Sequence, residues 1–332
     1  MRILVLGGTS FLSRWIAHEA LTRGHEVICA ARGRSGSAPD GARLVVVDRD
    51  RPDALAALAQ QRFDAVIDVA RAALGQVLAA LDALADRAPH WIFVSSVSAY
   101  ADTETVGQTV DAPLREAIRQ MEPDTSGERY GGIKVACETA VRERLDDRAF
   151  IVRPGLIGGP WDRTDRFGYW PARFARGGRA IVPGAFTQPI QHIDVRDLAA
   201  WIVSAAETRL TGIHDAVGPI TQLGALLREI ADIAGVSDLE LVPVDPKELI
   251  EAQVSPWSGP RSLPLWLPAD HDGLVTHDPA PAFAAGLKIR ALADTVHATL
   301  DDERTRGLHR SRSAGLTADD ERDLLRRFGL DR

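Results

Sequence analysis

The chain holds 332 residues, 45% of them hydrophobic and 26% charged, with a net charge of −7. These values fit a soluble globular protein of one large domain, or of one main domain with a smaller partner. The absence of a long basic block makes nucleic acid a disfavoured partner, and the arginines between Arg304 and Arg312 read as solvated surface.

Other broad classes are disfavoured as well. Too few apolar residues precede the first glycine for a signal peptide, and no stretch is long enough to cross a bilayer. Cys29 and Cys137 lie far apart among apolar neighbours and read as reduced thiols. The expectation is a cytoplasmic protein with no membrane partner, and no metal-ligand cluster is visible.

Ile3 to Leu6 is a continuous apolar run suited to a strand buried on both faces. Gly7-Gly8-Thr9-Ser10 follows as a tight turn, and Phe11, Leu12, Trp15 and Ile16 fall at helical spacing. A strand, a glycine turn and a helix in this order can hold a pyrophosphate on the free N–H groups of the helix. The candidate cofactor contacts here are Gly7, Thr9, Ser10, Phe11 and Leu12. The spacing suits G-x-x-G-x-x-G, but two of its glycine positions hold Ser10 and Ser13. Ser13 is expected to push the helix outward, and any buried strand turning into a helix remains the competing reading.

The first helix should stop near Gly24, with Glu26 to Ala30 as the second strand. Beyond that strand, where an acid would bond the ribose of NAD, stand Arg32 and Arg34. A guanidinium here suits a 2′-phosphate and would favour NADP by about 10- to 100-fold; NAD is the alternative. Leu44 to Val47 is a third strand. It ends at Asp48 and Arg49, where ligands gather in doubly wound sheets, and Asp48 can accept from the adenine amino group. A helix over Pro52 to Gln61, a strand over Ala65 to Val69, a helix over Ala72 to Ala85 and a strand over Trp91 to Ser95 continue a strict β-α alternation. That alternation implies parallel strands with right-handed crossovers.

Ser95 and Ser96 stand at the end of the fifth strand, followed by Val97 and Ser98. Ala101 to Asp124 is polar and irregular and reads as a mobile flap. Thr125-Ser126-Gly127-Glu128 fits a capping box for the next helix. That helix carries Tyr130 and Lys134, four residues apart and so on one face. A free phenol titrates near pH 10, and a nearby ammonium stabilises the phenolate. Tyr130 can then pass a proton while Ser96 holds the same substrate oxygen, an effect typically worth ~10²–10⁴-fold in rate.

The order of these segments is similar to that of the extended short-chain dehydrogenase/reductases, in the NAD-dependent epimerase/dehydratase group. The resemblance rests on Gly7 to Leu12, Ser95 to Tyr100, Tyr130 to Lys134, Arg153 to Pro160 and Asp194 to Ala199. It implies an α/β fold: a Rossmann-type doubly wound parallel sheet with a smaller, discontinuous C-terminal substrate domain. It further implies a nicotinamide cofactor and a catalytic set of Ser96, Tyr130 and Lys134. Ser95, Tyr130 and Lys134 would also touch the cofactor, as would Pro154, Gly155, Leu156 and Ile157. A homodimer through the Tyr130–Lys134 helix is a further implication. The departures are the glycine loop, changed at Ser10 and Ser13, and three further replacements. Leu156 replaces an asparagine and Ile190 an arginine that grip a diphosphate in nucleotide-sugar members. Val69, Ala70 and Arg71 replace small or polar residues after strand four, and Arg71 can reach the cofactor or a substrate anion.

In the second half, Trp161, Phe167, Tyr169 and Trp170 cluster in sequence; they line a substrate pocket or fasten a second domain. Val97, Ser98, Trp161, Phe167, Trp170 and Gln191 are the candidate substrate contacts. Gln188 to Ile193 reads as a strand, His192 as structural, and Val195 to Ala206, Gln222 to Ala234 and Ala291 to Glu303 as helices. Leu239 to Val244 reads as a strand, and Leu263 to Pro268 with Trp257 and Trp266 as a lid. Thr317 caps a final helix. The domains are expected at 1–155 with 193–235, and at 156–192 with 236–332. The expected function is hydride transfer between NADP and a small carbonyl or alcohol. The alternatives are an NAD-dependent sugar epimerase or dehydratase and a non-catalytic dinucleotide sensor.

Overall fold

A computed structural model describes residues 1–70, 72–124, 127–234 and 236–330. The chain divides into two compact units: Met1–Gly155 with Val195–Gly218 and His277–Lys288, and Leu156–Asp194 with Pro219–Thr276 and Ile289–Arg332.

The first unit is built on β1 (Arg2–Leu6), α1 (Phe11–Thr22), β2 (Glu26–Ala31), β3 (Arg43–Val46), α2 (Ala56–Ala59), β4 (Ala65–Asp68), α3 (Leu74–Leu84), β5 (Trp91–Val94), α4 (Gly127–Leu145) and β6 (Ala149–Pro154). A helix over Val195–Thr208 and a strand over Gly212–Ala216 complete it. Seven strands form one sheet in the order 212–216, β6, β5, β4, β1, β2, β3, and every pairing is parallel. Right-handed crossovers on either side of β1 place helices on opposite faces, which makes the sheet doubly wound and Rossmann-type. The order reverses between β1 and β4, so a crevice opens at the carboxyl ends of these strands. The apolar run Ile3–Leu6 is central and fully buried because both faces are covered.

Several elements differ from expectation. The helix over Pro52 to Gln61 shrinks to α2 because Asp53 takes a left-handed φ of 54°, which no helix can include. The segment 101–124 is a packed strap rather than a flap. Arg115 N–H donates to Ala99 O at 2.8 Å, Ile118 N–H to Gly132 O at 2.9 Å, Leu74 N–H to Gln120 O at 3.0 Å and Asp124 N–H to Ala72 O at 2.9 Å. Thr125 and Ser126 of the expected capping box, the Glu128 side chain, and Arg71 lie outside the described residues.

The unit boundaries also differ. Residues 219–234 belong with the second unit, because Leu223, Leu226, Leu227 and Ile230 of the helix Leu223–Ala234 join its core. Residues 277–288 belong with the first: Asp278 N–H donates to Gln108 O at 3.0 Å, and Trp201 Nε1–H to Ala285 O at 3.0 Å.

In the second unit, Arg179–Pro183 and Glu240–Val244 pair in parallel. The expected strand over Gln188 to Ile193 splits in two, because its halves pair with different partners. Pro189–Ile190 runs antiparallel to Thr221–Gln222, and Ile193–Asp194 runs parallel to Ile157–Gly158. Leu263, Leu265 and Trp266 are core residues here, not a lid. The helix Ala318–Arg327 starts with a capping box between Thr317 and Asp320. Arg306, Arg310 and Arg312 are not solvated surface. They converge on the buried carboxylates of Asp165 and Glu303, which would be costly to bury unpaired.

Both cysteines are fully buried and free. Burial pushes the Cys29 thiol up to about 12 and the Cys137 thiol up to about 11. The native protein should therefore show no fast thiol at pH 8 with a disulfide reagent, and both thiols should react once it is denatured. Rapid labelling of either in the native state would contradict this packing.

Candidate active site

The glycine turn needs its glycines. Gly7 and Gly8 have φ of 131° and 94°, a backbone region closed to most side chains, and a Cβ on Gly8 would overlap the Cys29 side chain. Ser13 packs against Gly7, and its hydroxyl donates to Ser10 O at 2.7 Å, so this buried polar group is satisfied within the turn. Ser10 sits at the N-cap of α1 and makes no side-chain bond to the first turn. Phe11, the first residue of α1, is held at φ 36°, a strained value for a non-glycine residue. Thr9 and Leu12 are buried, and Gly36 lies against the Thr9 carbonyl, so the loop after β2 is seated on the turn. The glycine geometry and the uncapped helix start fit a bound pyrophosphate.

Arg32 and Arg34 are exposed on that loop, and Arg32 Nη1 stands 3.8 Å from Asp50 Oδ2. Asp48 is half-buried at the end of β3. Arg49 is different from expectation. Its guanidinium is bidentate on the buried Asp68 carboxylate, at 2.7 and 3.0 Å, and donates to Gln76 O at 2.7 Å. The pairing follows from burial: Asp68 is fully enclosed and needs a countercharge. The side-chain cation of Arg49 is therefore committed to the fold.

Lys134 lies at the crevice. Its Nζ is buried and donates to Ala70 O and Val94 O, both at 2.8 Å. These carbonyls mark the carboxyl ends of β4 and β5. The same ammonium is 5.1 Å from the Phe93 ring centre and 5.8 Å from that of Tyr130, which is half-buried on the same face of α4. Val69, half-buried, and Ala70, buried, follow β4.

Ser96 Oγ accepts from Ser98 N–H at 3.1 Å and opens a short 3₁₀ turn over Val97–Ala99. Val97 packs with Tyr100 and Val217. Gly131 and Gly132 let α4 come close. A Cβ on Gly131 would overlap the Ser98 carbonyl, and one on Gly132 would stand 2.7 Å from Glu116 O.

The Ser95 hydroxyl is not open to a cofactor, because it donates to Glu138. Glu138 also takes Arg153 Nε at 3.0 Å and Nη2 at 2.7 Å. Arg153 Nη1 donates to the Tyr100 hydroxyl at 2.9 Å, and that hydroxyl donates to Asp215 at 2.7 and 2.9 Å. His277 stands 3.6 Å from Asp215 and against the Tyr100 ring. The sequence reading gave no role to Glu138, Tyr100, Asp215 or His277. Only the spacing of Glu138, four residues after Lys134, was available to signal it. Pro154 is buried, and Gly155 N–H donates to Ala216 O at 3.2 Å.

The remaining expected contacts belong to the second unit. Leu156 is buried in its core, and Ile157 pairs with Ile193. Phe167 and Trp170 are fully buried in that core, with Trp170 Nε1–H donating to Pro264 O at 2.9 Å, so neither ring offers a surface to a substrate. Trp161 N–H donates to Asp302 at 3.0 Å, and Gln191 is buried. His192 stacks on Phe167, and desolvation pushes its imidazole down to about 4, which keeps it neutral at pH 7. Among the described residues no group of three His, Cys, Asp or Glu can hold a metal, and no helix is long and apolar enough to cross a membrane.

The model of the NAD dependent epimerase/dehydratase family matches residues 3–217, and the chain belongs to that family of extended short-chain dehydrogenase/reductases. It is 32% identical over 207 residues to the 2′-dehydrokanamycin reductase of Streptomyces kanamyceticus, covering 58% of this chain and 55% of that protein. It is 29% identical over 153 residues to the dTDP-6-deoxy-L-talose 4-dehydrogenase (NAD(P)(+)) of Kitasatospora kifunensis, covering 42% and 46%. The chain thus spans about half the length of these two relatives. In fold it is similar to UDP-glucuronic acid 4-epimerase from Bacillus cereus, solved with NAD (TM-score 0.67, 16% identity, 92% and 99% of the two chains). It is also similar to the Bordetella bronchiseptica enzyme WbmG with NAD (TM-score 0.68, 18% identity, 93% and 95%).

Replacing Gly131 by Ala should force α4 away from the Ser96–Ser98 turn and destabilise the protein by about 1–3 kcal/mol. Gly127→Ala, with nothing within 4 Å of the new methyl, should be neutral or slightly stabilising. Calorimetric unfolding of the two variants checks this, and equal behaviour would contradict the close approach.

Proposed function

We propose that the chain is an NADP-dependent oxidoreductase that interconverts a small, ring-containing ketone and its alcohol. The observation that carries this reading is Lys134, buried between the carbonyls of Ala70 and Val94 with Tyr130 beside it on α4. Bound nicotinamide supplies or accepts the hydride. Tyr130 exchanges the proton with the substrate oxygen, and Ser96 donates a hydrogen bond to that oxygen. The Lys134 ammonium sets a fixed positive charge beside the Tyr130 phenol. Gly7, Gly8 and the start of α1 hold the pyrophosphate. Arg32 and Arg34 take the 2′-phosphate.

Net oxidation or reduction is favoured over an internal epimerase cycle by two relatives whose names describe a reductase and a dehydrogenase. The substrate reading has separate support. Leu156 and Ile190, at the places where nucleotide-sugar members are expected to grip a diphosphate, are buried in an apolar core. That argues for a substrate without a nucleotide.

Two measurements test the proposal. Reduction of a ketone should consume one NADPH per product, whereas an epimerase cycle would consume none. In calorimetric titrations Arg32→Asp should weaken NADPH binding by about 10- to 100-fold and leave NADH binding nearly unchanged. Equal losses for both cofactors would remove Arg32 from the 2′-phosphate site.

A further inference from the structure

We propose that Ser95 and Glu138 are positioning residues that hold the Tyr130–Lys134 face of α4 in register with the end of β5. This rests on the reading of Tyr130 and Lys134 as the acid–base pair.

Consecutive residues of one strand end hold consecutive turns of one helix. Val94 O accepts from Lys134, and the next residue, Ser95, donates its hydroxyl to Glu138, one turn further along α4. The following residue is Ser96. At the other end of the same face, Gly131 is seated against the Ser98 carbonyl. A shift of α4 along β5 by a single residue would break each of these contacts at once.

Glu138 is itself fixed from β6. Its carboxylate is 2% exposed and bidentate on Arg153, whose remaining Nη1 is held by the Tyr100 hydroxyl at 2.9 Å and by Val110 O at 3.3 Å. The Ser95 bond therefore joins the β5 turn to an anchor that cannot easily follow it. Removing that hydroxyl leaves Glu138 still paired with Arg153, so no buried charge is orphaned and the fold is retained. What is lost is the tether between the turn that carries Ser96 and the helix that carries Tyr130.

The test uses the full chain with Ser95→Ala, and with Ser95→Thr and Ser95→Val, which share a shape and differ in the hydroxyl. The readout is NADPH-dependent turnover, with Tyr130→Phe assayed beside the series. The expected result is a ~10-fold fall in kcat for Ser95→Ala and Ser95→Val with an unchanged KM for cofactor, and Ser95→Thr like the native protein. An unchanged kcat in all three variants, with only a lower unfolding temperature, would overturn the proposal and leave a plain packing contact. A fall in kcat across Ser95→Ala and Ser95→Val beside a Tyr130→Phe variant that keeps full turnover would support the tether and reject the acid–base reading instead.

Discussion

A buried ammonium is the constraint on which the first unit depends. Lys134 has given up water, and an unpaired charge there would cost several kcal/mol. Two carbonyl bonds, each worth about 1.5–3 kcal/mol when the donor is charged, and the face of Phe93 offset that cost. Those carbonyls come from the ends of two neighbouring strands beside the point where strand order reverses. The lysine thus links β4 and β5 to α4 at the mouth of the crevice. Tyr130 is brought there because it shares the helix face, and Ser96 because it follows Val94 by two residues.

Glycine does the complementary work. Gly7 and Gly8 open the turn above β1, and Gly131 with Gly132 lets α4 lie against the Ser98 carbonyl and the 101–124 strap. In each case the absent side chain sets a backbone distance that no rotamer change can imitate. The strain at Phe11 lies in the same turn, where the chain passes from strand to helix.

The sheet was legible from sequence because buried parallel strands read as apolar runs and alternate with helices at regular spacing. Tyr130 and Lys134 were legible because helical periodicity is local. Glu138 with Arg153, and Tyr100 with Asp215 and His277, were not, since their partners are 15 or more residues apart and the pairing is decided by sheet order. Arg49, expected at the cofactor, and Arg310 and Arg312, expected in solvent, are instead held by buried carboxylates that only the fold brings to them. The aromatic cluster offered two readings, and burial places Phe167 and Trp170 in the second unit's own core. That core also holds Leu156 and Ile190, so packing occupies the places where a polar grip was sought.

The most direct measurement is turnover of Tyr130→Phe followed by NADPH absorbance, with NADPH affinity measured on the same sample. The expected result is a fall in kcat of ~10²–10⁴-fold with cofactor affinity unchanged, because on the proposed reading only a proton donor is lost. Turnover at the native rate would contradict the assignment of Tyr130 as the acid–base group.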